Sequence, residues 1–126
     1  MIGINVNSKH HAFADMIVRG IKTIETRECM SLHPYIGKRV AIVETGKGKA
    51  KVLGEVTITG CEWVGNTIEF DACADRHKVE KDSEYYISSK GKYLYFLADA
   101  KQYDGREFIV GKGIVARNVE EVTQWD

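Results

Sequence analysis

Three charged side chains stand close together in residues 20–27, GIKTIETR: Lys22, Glu25 and Arg27. Arginine offers a planar fork that suits a phosphate or a base edge. Lysine adds a compact positive charge for a phosphate or an oxyanion. Glutamate accepts hydrogen bonds from an exocyclic amine, or acts as a general base. The same three residues can also be an ordinary surface ion pair in which Glu25 simply orients Arg27, and residue types alone leave both readings open.

The elements around the trio bear on that choice. Residues 10–20, HHAFADMIVRG, carry Ala12, Phe13, Met16 and Ile17 at helical spacing, which predicts a short amphipathic helix. Asn7 or Ser8 can cap its start, and Gly20 can end it. Residues 23–28, TIETRE, then read as a strand, because Thr and Ile are β-branched. In a strand, alternate side chains share a face. Glu25 and Arg27 therefore project together beside Thr23, while Ile24 and Thr26 turn toward the core. Lys22 falls at the helix-to-strand turn, from which its side chain can swing over the Glu25 and Arg27 face.

Further strands are predicted at residues 2–6, 38–44, 52–64 and 93–100, with one or two more in 106–122. Gly54 and Gly60 interrupt the long third of these and mark bulges or corners. Residues 67–79 read as a helix, and 80–92 as a polar loop. Strands and helices do not alternate, so a doubly wound parallel sheet is not expected. The pattern instead predicts an α+β fold: a small, mostly antiparallel sheet, curled or closed, with flanking helices.

The 126 residues suffice for one domain with a real core, taken as 1–126. Eighteen basic residues balance eighteen acidic ones, so nucleic-acid binding needs a local patch, and long duplex DNA is disfavoured. The three cysteines, Cys29, Cys61 and Cys73, show no CxxC spacing, which argues against a disulfide framework and fits a reducing cytoplasm. The N-terminal residues do not read as a secretory signal, and no stretch is long and apolar enough to span a membrane. Neither cofactor nor metal is expected. Cys73 and His77 lie four apart, but zinc needs three or four converging ligands, so a core cysteine and a surface histidine are expected there. Cys29 is expected to be buried.

Residues 46–51, GKGKAK, lack the Walker spacing and read as a solvated hairpin turn. Tyr85, Tyr86, Tyr93, Tyr95 and Tyr103 can stack on bases or sit at the margin of a core. Trp63 and Trp125 are open in the same way. Arg117, on the last predicted strand, could be brought beside the motif if the sheet closes.

The order Gly20-x-Lys22-x-x-Glu25-x-Arg27 after an amphipathic helix resembles the signature of the ASCH family (activating signal cointegrator homology) of the PUA-like superfamily. Residues 38–44 (KRVAIVE), 52–59 (VLGEVTIT) and 111–119 (GKGIVARNV) continue the resemblance over nearly the whole chain. It implies a PUA-like small β-barrel with flanking helices and a cleft lined by the motif. The implied function is binding of RNA or a modified nucleotide, with Gly20 setting the turn and Lys22, Glu25, Arg27 and Arg117 as ligand-binding residues. Some small bacterial relatives are amidohydrolases on acetylated cytidine. Their motif has a nucleophilic Thr where Glu25 stands, so their covalent mechanism does not transfer. The enzymatic alternative is a hydrolase of a modified nucleoside or single-stranded RNA, with Lys22 and Glu25 catalytic.

Overall fold

The structure, a computed structural model, describes residues 1–123. Its strands are β1 (Ile2–Asn7), β2 (Ile24–Arg27), β3 (Arg39–Thr45), β4 (Lys51–Val64), β5 (Lys92–Gln102), β6 (Phe108–Val110) and β7 (Ala116–Glu121). The helices are α1 (Phe13–Val18), α2 (Thr67–Ala72) and α3 (Ala74–His77), and a 3₁₀ turn covers His33–Tyr35. All seven strands form one sheet in the order β2-β5-β4-β3-β1-β7-β6. Every pairing is antiparallel except β1 with β3.

The α+β class stands, but the expected barrel does not: β2 and β6 are the two edges of an open sheet. β2 is only four residues long and pairs with β5 alone. The gap from β2 to β1 is crossed by a side chain, with Arg27 Nη2 donating to the Asn5 carbonyl at 2.7 Å. The sheet therefore curls far enough to bring β2 opposite β1 without joining them by a backbone ladder.

The core lies inside this curl. Ile4, Ile24, Ile42, Val56 and Ile58 are fully buried or nearly so, and α1 adds Phe13, Ala14, Ile17 and Val18. A six-residue helix is too short to persist alone, so α1 owes its existence to that apolar face. It is shorter than its hydrophobic pattern suggests because it begins only at Phe13. Ser8 Oγ accepts from the Ala14 N–H at 3.3 Å. Gly20 ends the helix with φ of 75°, and the N–H groups of Gly20 and Ile21 return to the carbonyls of Ile17 and Met16. The bulges lie where glycines predicted them, with register shifts beside Gly54 and Gly60.

The single helix expected over 67–79 breaks at Cys73 into α2 and α3. Asn66 caps α2 by accepting from the Glu69 N–H at 2.8 Å. The expectation for the Cys73/His77 pair is inverted: His77 is completely buried and Cys73 only partly so. The imidazole is accommodated because the Phe70 ring stacks on it at 4.0 Å and both ring nitrogens are satisfied. Nδ1 accepts from the Val79 N–H at 2.9 Å, so Nε2 carries the proton and donates to the Phe70 carbonyl at 2.8 Å. Cys29 is also placed contrary to expectation, being exposed just beyond the end of β2.

Burial lowers the pKa of His77, and its two hydrogen bonds fit only the neutral ring. The unfolded chain takes up a proton near pH 6.5 that the folded chain refuses. Stability from this group is therefore complete above that pH and declines as pH falls toward the depressed folded value. We expect the His77 ring resonances to show no titration between pH 7 and 6 while the urea midpoint falls as pH is lowered through 6.5. A His77 ring that titrates at its ordinary pKa would contradict this.

Candidate functional site

The helix–strand junction around Gly20 delivers the motif to one side of the curl. A cleft of about 400 Å³ opens there between β1, β2 and the start of β5. Glu25, Thr26, Arg27 and Glu28 form one wall, Asn5, Val6 and Asn7 face them from β1, and Thr45, Phe13, Tyr85, Lys92 and Ile114 complete it.

Within the cleft, Glu25 and Arg27 interact as strand alternation requires. Arg27 Nε and Nη2 both donate to Glu25 Oε2, at 3.1 and 2.9 Å. The other carboxylate oxygen, Oε1, faces Lys22 Nζ at 3.7 Å. Glu25 is 6% exposed, so this pair is screened from bulk water.

Lys22 does not swing over the outer face as the sequence suggests. It is 1% exposed and absent from the cleft wall. Its ammonium donates to the His77 carbonyl and sits 4.5 Å from the centre of the Phe13 ring. Burial lowers its pKa, and the neighbouring Glu25 opposes that shift. Lys22 thus meets the cleft lining only through Glu25 and ties the α1–β2 junction to the end of α3. Gly20 is exposed at the turn and shapes the junction without reaching the cleft. Arg117 lies on β7, where Nη1 and Nη2 donate to the Gly111 and Gly113 carbonyls at 3.2 Å each. It holds the 111–113 loop and does not line the cleft.

Two contributors were not singled out from the sequence. Asn5 supplies the carbonyl that receives Arg27, and its side-chain Nδ2 donates to Gly113 and Ile114. Lys92 lines the cleft while only 3% exposed. Burial lowers its pKa, with Glu28 the strongest opposing influence.

Of the aromatic candidates, Tyr85 reaches the cleft, where it meets Phe13 edge-on at 5.9 Å beside His11. Tyr95 is fully buried; burial pushes its pKa to about 12, and its hydroxyl lies 2.6 Å from His33 Nδ1. Trp63 is 54% exposed, away from the cleft. Trp125 lies outside the described residues. Among the described residues, no group of three or more His, Cys, Asp or Glu side chains could hold a metal ion. No described helix is long and apolar enough to cross a membrane.

A curled mixed sheet carries a short helix between its first two strands and a charged cleft at that junction. The chain has an ASCH-like fold. It is similar to the crystal structure of ASCH from Zymomonas mobilis, with a TM-score of 0.66 and 20% identity over 80% of this chain and 68% of that one. Two point variants of the same Zymomonas mobilis protein superimpose with TM-scores of 0.65. No family sequence profile matches the chain, and no curated protein sequence does.

Proposed function

We propose that the cleft binds one nucleotide unit, either as a free or modified nucleotide or as a residue of single-stranded RNA. The observation that carries this reading is the composition of the lining: a carboxylate–guanidinium pair and the rings of Phe13 and Tyr85 border one cleft, with Tyr85 the half-buried aromatic of the two. Apolar faces for stacking and a few fixed polar groups are what recognition of a base requires. The volume lies within the roughly 300–1,000 Å³ typical of small-ligand sites, and the balanced net charge disfavours long duplex. Two acids and two bases line the cleft, so affinity rests on fitted contacts more than on a broad positive field.

The experiment is a titration with short single-stranded RNA and a nucleotide panel at low and moderate salt. Arg27→Ala removes a cleft wall and the bridge to β1, and should weaken binding on the order of 100-fold, the loss of a desolvated charged contact. Undiminished binding by a folded Arg27→Ala variant would place the ligand elsewhere.

The geometry at Glu25 also supports a hydrolytic reading. Arg27 holds Oε2, and Oε1, paired with Lys22 Nζ at 3.7 Å, is the oxygen that would take a proton from a water molecule, with Lys22 as the group that receives or balances it. Turnover of acetylated cytidine or single-stranded RNA that vanishes in Glu25→Gln is the expected sign; no turnover across that panel removes this reading.

A further inference from the structure

A buried ammonium normally has its hydrogen bonds filled, because desolvating a charge without compensation is costly. Lys22 obeys this rule: the His77 carbonyl, the Phe13 ring and Glu25 all face its nitrogen. Lys92 does not. Its side chain is 3% exposed and Nζ donates to no acceptor among the described residues, yet Nζ is not one of the sealed atoms left without a partner, so it opens onto the cleft that Lys92 lines. The nearest acid oxygen, Glu28 Oε1, is 4.0 Å away on a side chain that is half exposed.

A second donor without an acceptor belongs to the lining of the same cleft. Arg27 commits Nε and Nη2 to Glu25 and to the Asn5 carbonyl, while Nη1 makes no hydrogen bond among the described residues. The two groups come from neighbouring strands, since Arg27 pairs in register with Tyr93, the residue after Lys92. Glu25 cannot neutralise them further, as its oxygens already face Arg27 and Lys22. An ammonium and one guanidinium arm lining one cleft call for a small anion with several acceptor oxygens.

We infer that Lys92, assisted by Arg27 Nη1, is the anion-binding residue of the cleft and takes a phosphate group. That group is either the monoester of a nucleotide or a diester linkage of single-stranded RNA. The inference rests on the nucleotide reading above and deepens it: the ligand is held by its phosphate as well as by its base.

The test is calorimetric titration of the four ribonucleosides, their 5′-monophosphates, a six-nucleotide single-stranded RNA and inorganic phosphate. The proteins are the wild type, Lys92→Met, Lys92→Arg and Glu28→Gln. One desolvated charge-assisted contact corresponds to about tenfold or more in affinity. The wild type should therefore bind a monophosphate or the RNA at least about tenfold more tightly than the matching nucleoside. Lys92→Met should erase that preference, whereas Lys92→Arg should keep it. Glu28→Gln removes the competing carboxylate and should strengthen the phosphate-bearing ligands a few-fold. Tighter binding of the monophosphate than of the RNA identifies the monoester, and the reverse identifies the diester. If Lys92→Met fails to fold, the wild-type preference and the Glu28→Gln gain still decide the matter. Equal affinity for nucleosides and their monophosphates overturns the Lys92 assignment and leaves the nucleoside reading standing. Lys92-dependent binding of inorganic phosphate with no affinity for any nucleoside or nucleotide keeps the anion site and ends the nucleotide reading. Failure of every phosphate-bearing probe to bind overturns the inference.

Discussion

Glu25→Ala should destabilise the folded chain by about 3–5 kcal/mol, the usual cost of stripping one partner from a buried ion pair. Glu25 is the only carboxylate against Lys22 among the described residues, and Lys22 is 1% exposed. Without that anion, Lys22 keeps the His77 carbonyl and the Phe13 ring but must either hold an uncompensated charge or release its proton. Arg27 meanwhile loses both of its side-chain bonds on β2 and retains only the Asn5 carbonyl. For a chain of 126 residues this amounts to a melting-temperature fall of roughly 10–20 °C. Urea unfolding of wild type and variant at pH 7 measures it. A loss below about 1 kcal/mol would mean that Lys22 is already neutral in the native state, and the pair would then not be an ion pair at all.

The second large effect is expected at Gly54, which does not line the cleft. A Cβ there would lie 2.7 Å from Val18 Cγ1 of α1 and would overlap the Lys101 carbonyl oxygen of β5. The first neighbour is a stiff β-branched side chain, fully buried against the sheet, and the second is backbone, so neither yields cheaply. Gly54→Ala should therefore cost about 3 kcal/mol, the upper range for overpacking. It should also displace α1, loosening the Gly20 turn that feeds Lys22 and Glu25 into place. Circular-dichroism melting reads the first effect, and ligand titration on the surviving folded fraction reads the second. Wild-type stability in this variant would show that β4 and β5 can part at their bulge without loss.

Local signals in the sequence led to the helix–strand junction that borders the cleft but not to every residue that lines it. Gly20, the helix before it and the alternation of Glu25 with Arg27 are properties of consecutive residues, and they were legible. The inward course of Lys22 was not, because its acceptor is the carbonyl of His77, 55 residues away at the end of a helix pair. Lys92 was hidden for the same reason. In residues 88–93, SSKGKY, it looks like one more solvated lysine, and only the β2–β5 register carries it to the cleft. Arg117 illustrates the opposite error: proximity was inferred from an anticipated closure of the sheet that the open β2 and β6 edges deny. His77 could not be placed from its helix position alone, because Phe70 and the Val79 N–H supply its environment.

The bridge from Arg27 to Asn5 has a consequence for how such a groove changes over evolutionary time. A seam sewn by peptide groups has a fixed width of one strand spacing, and altering it means re-registering a sheet. Here the span is one flexible arm ending in a rigid fork, so a single codon can widen, narrow or unlatch the groove while every strand keeps its neighbours. Diversification of guests on this scaffold would then proceed by exchanging the latch, leaving the frame untouched.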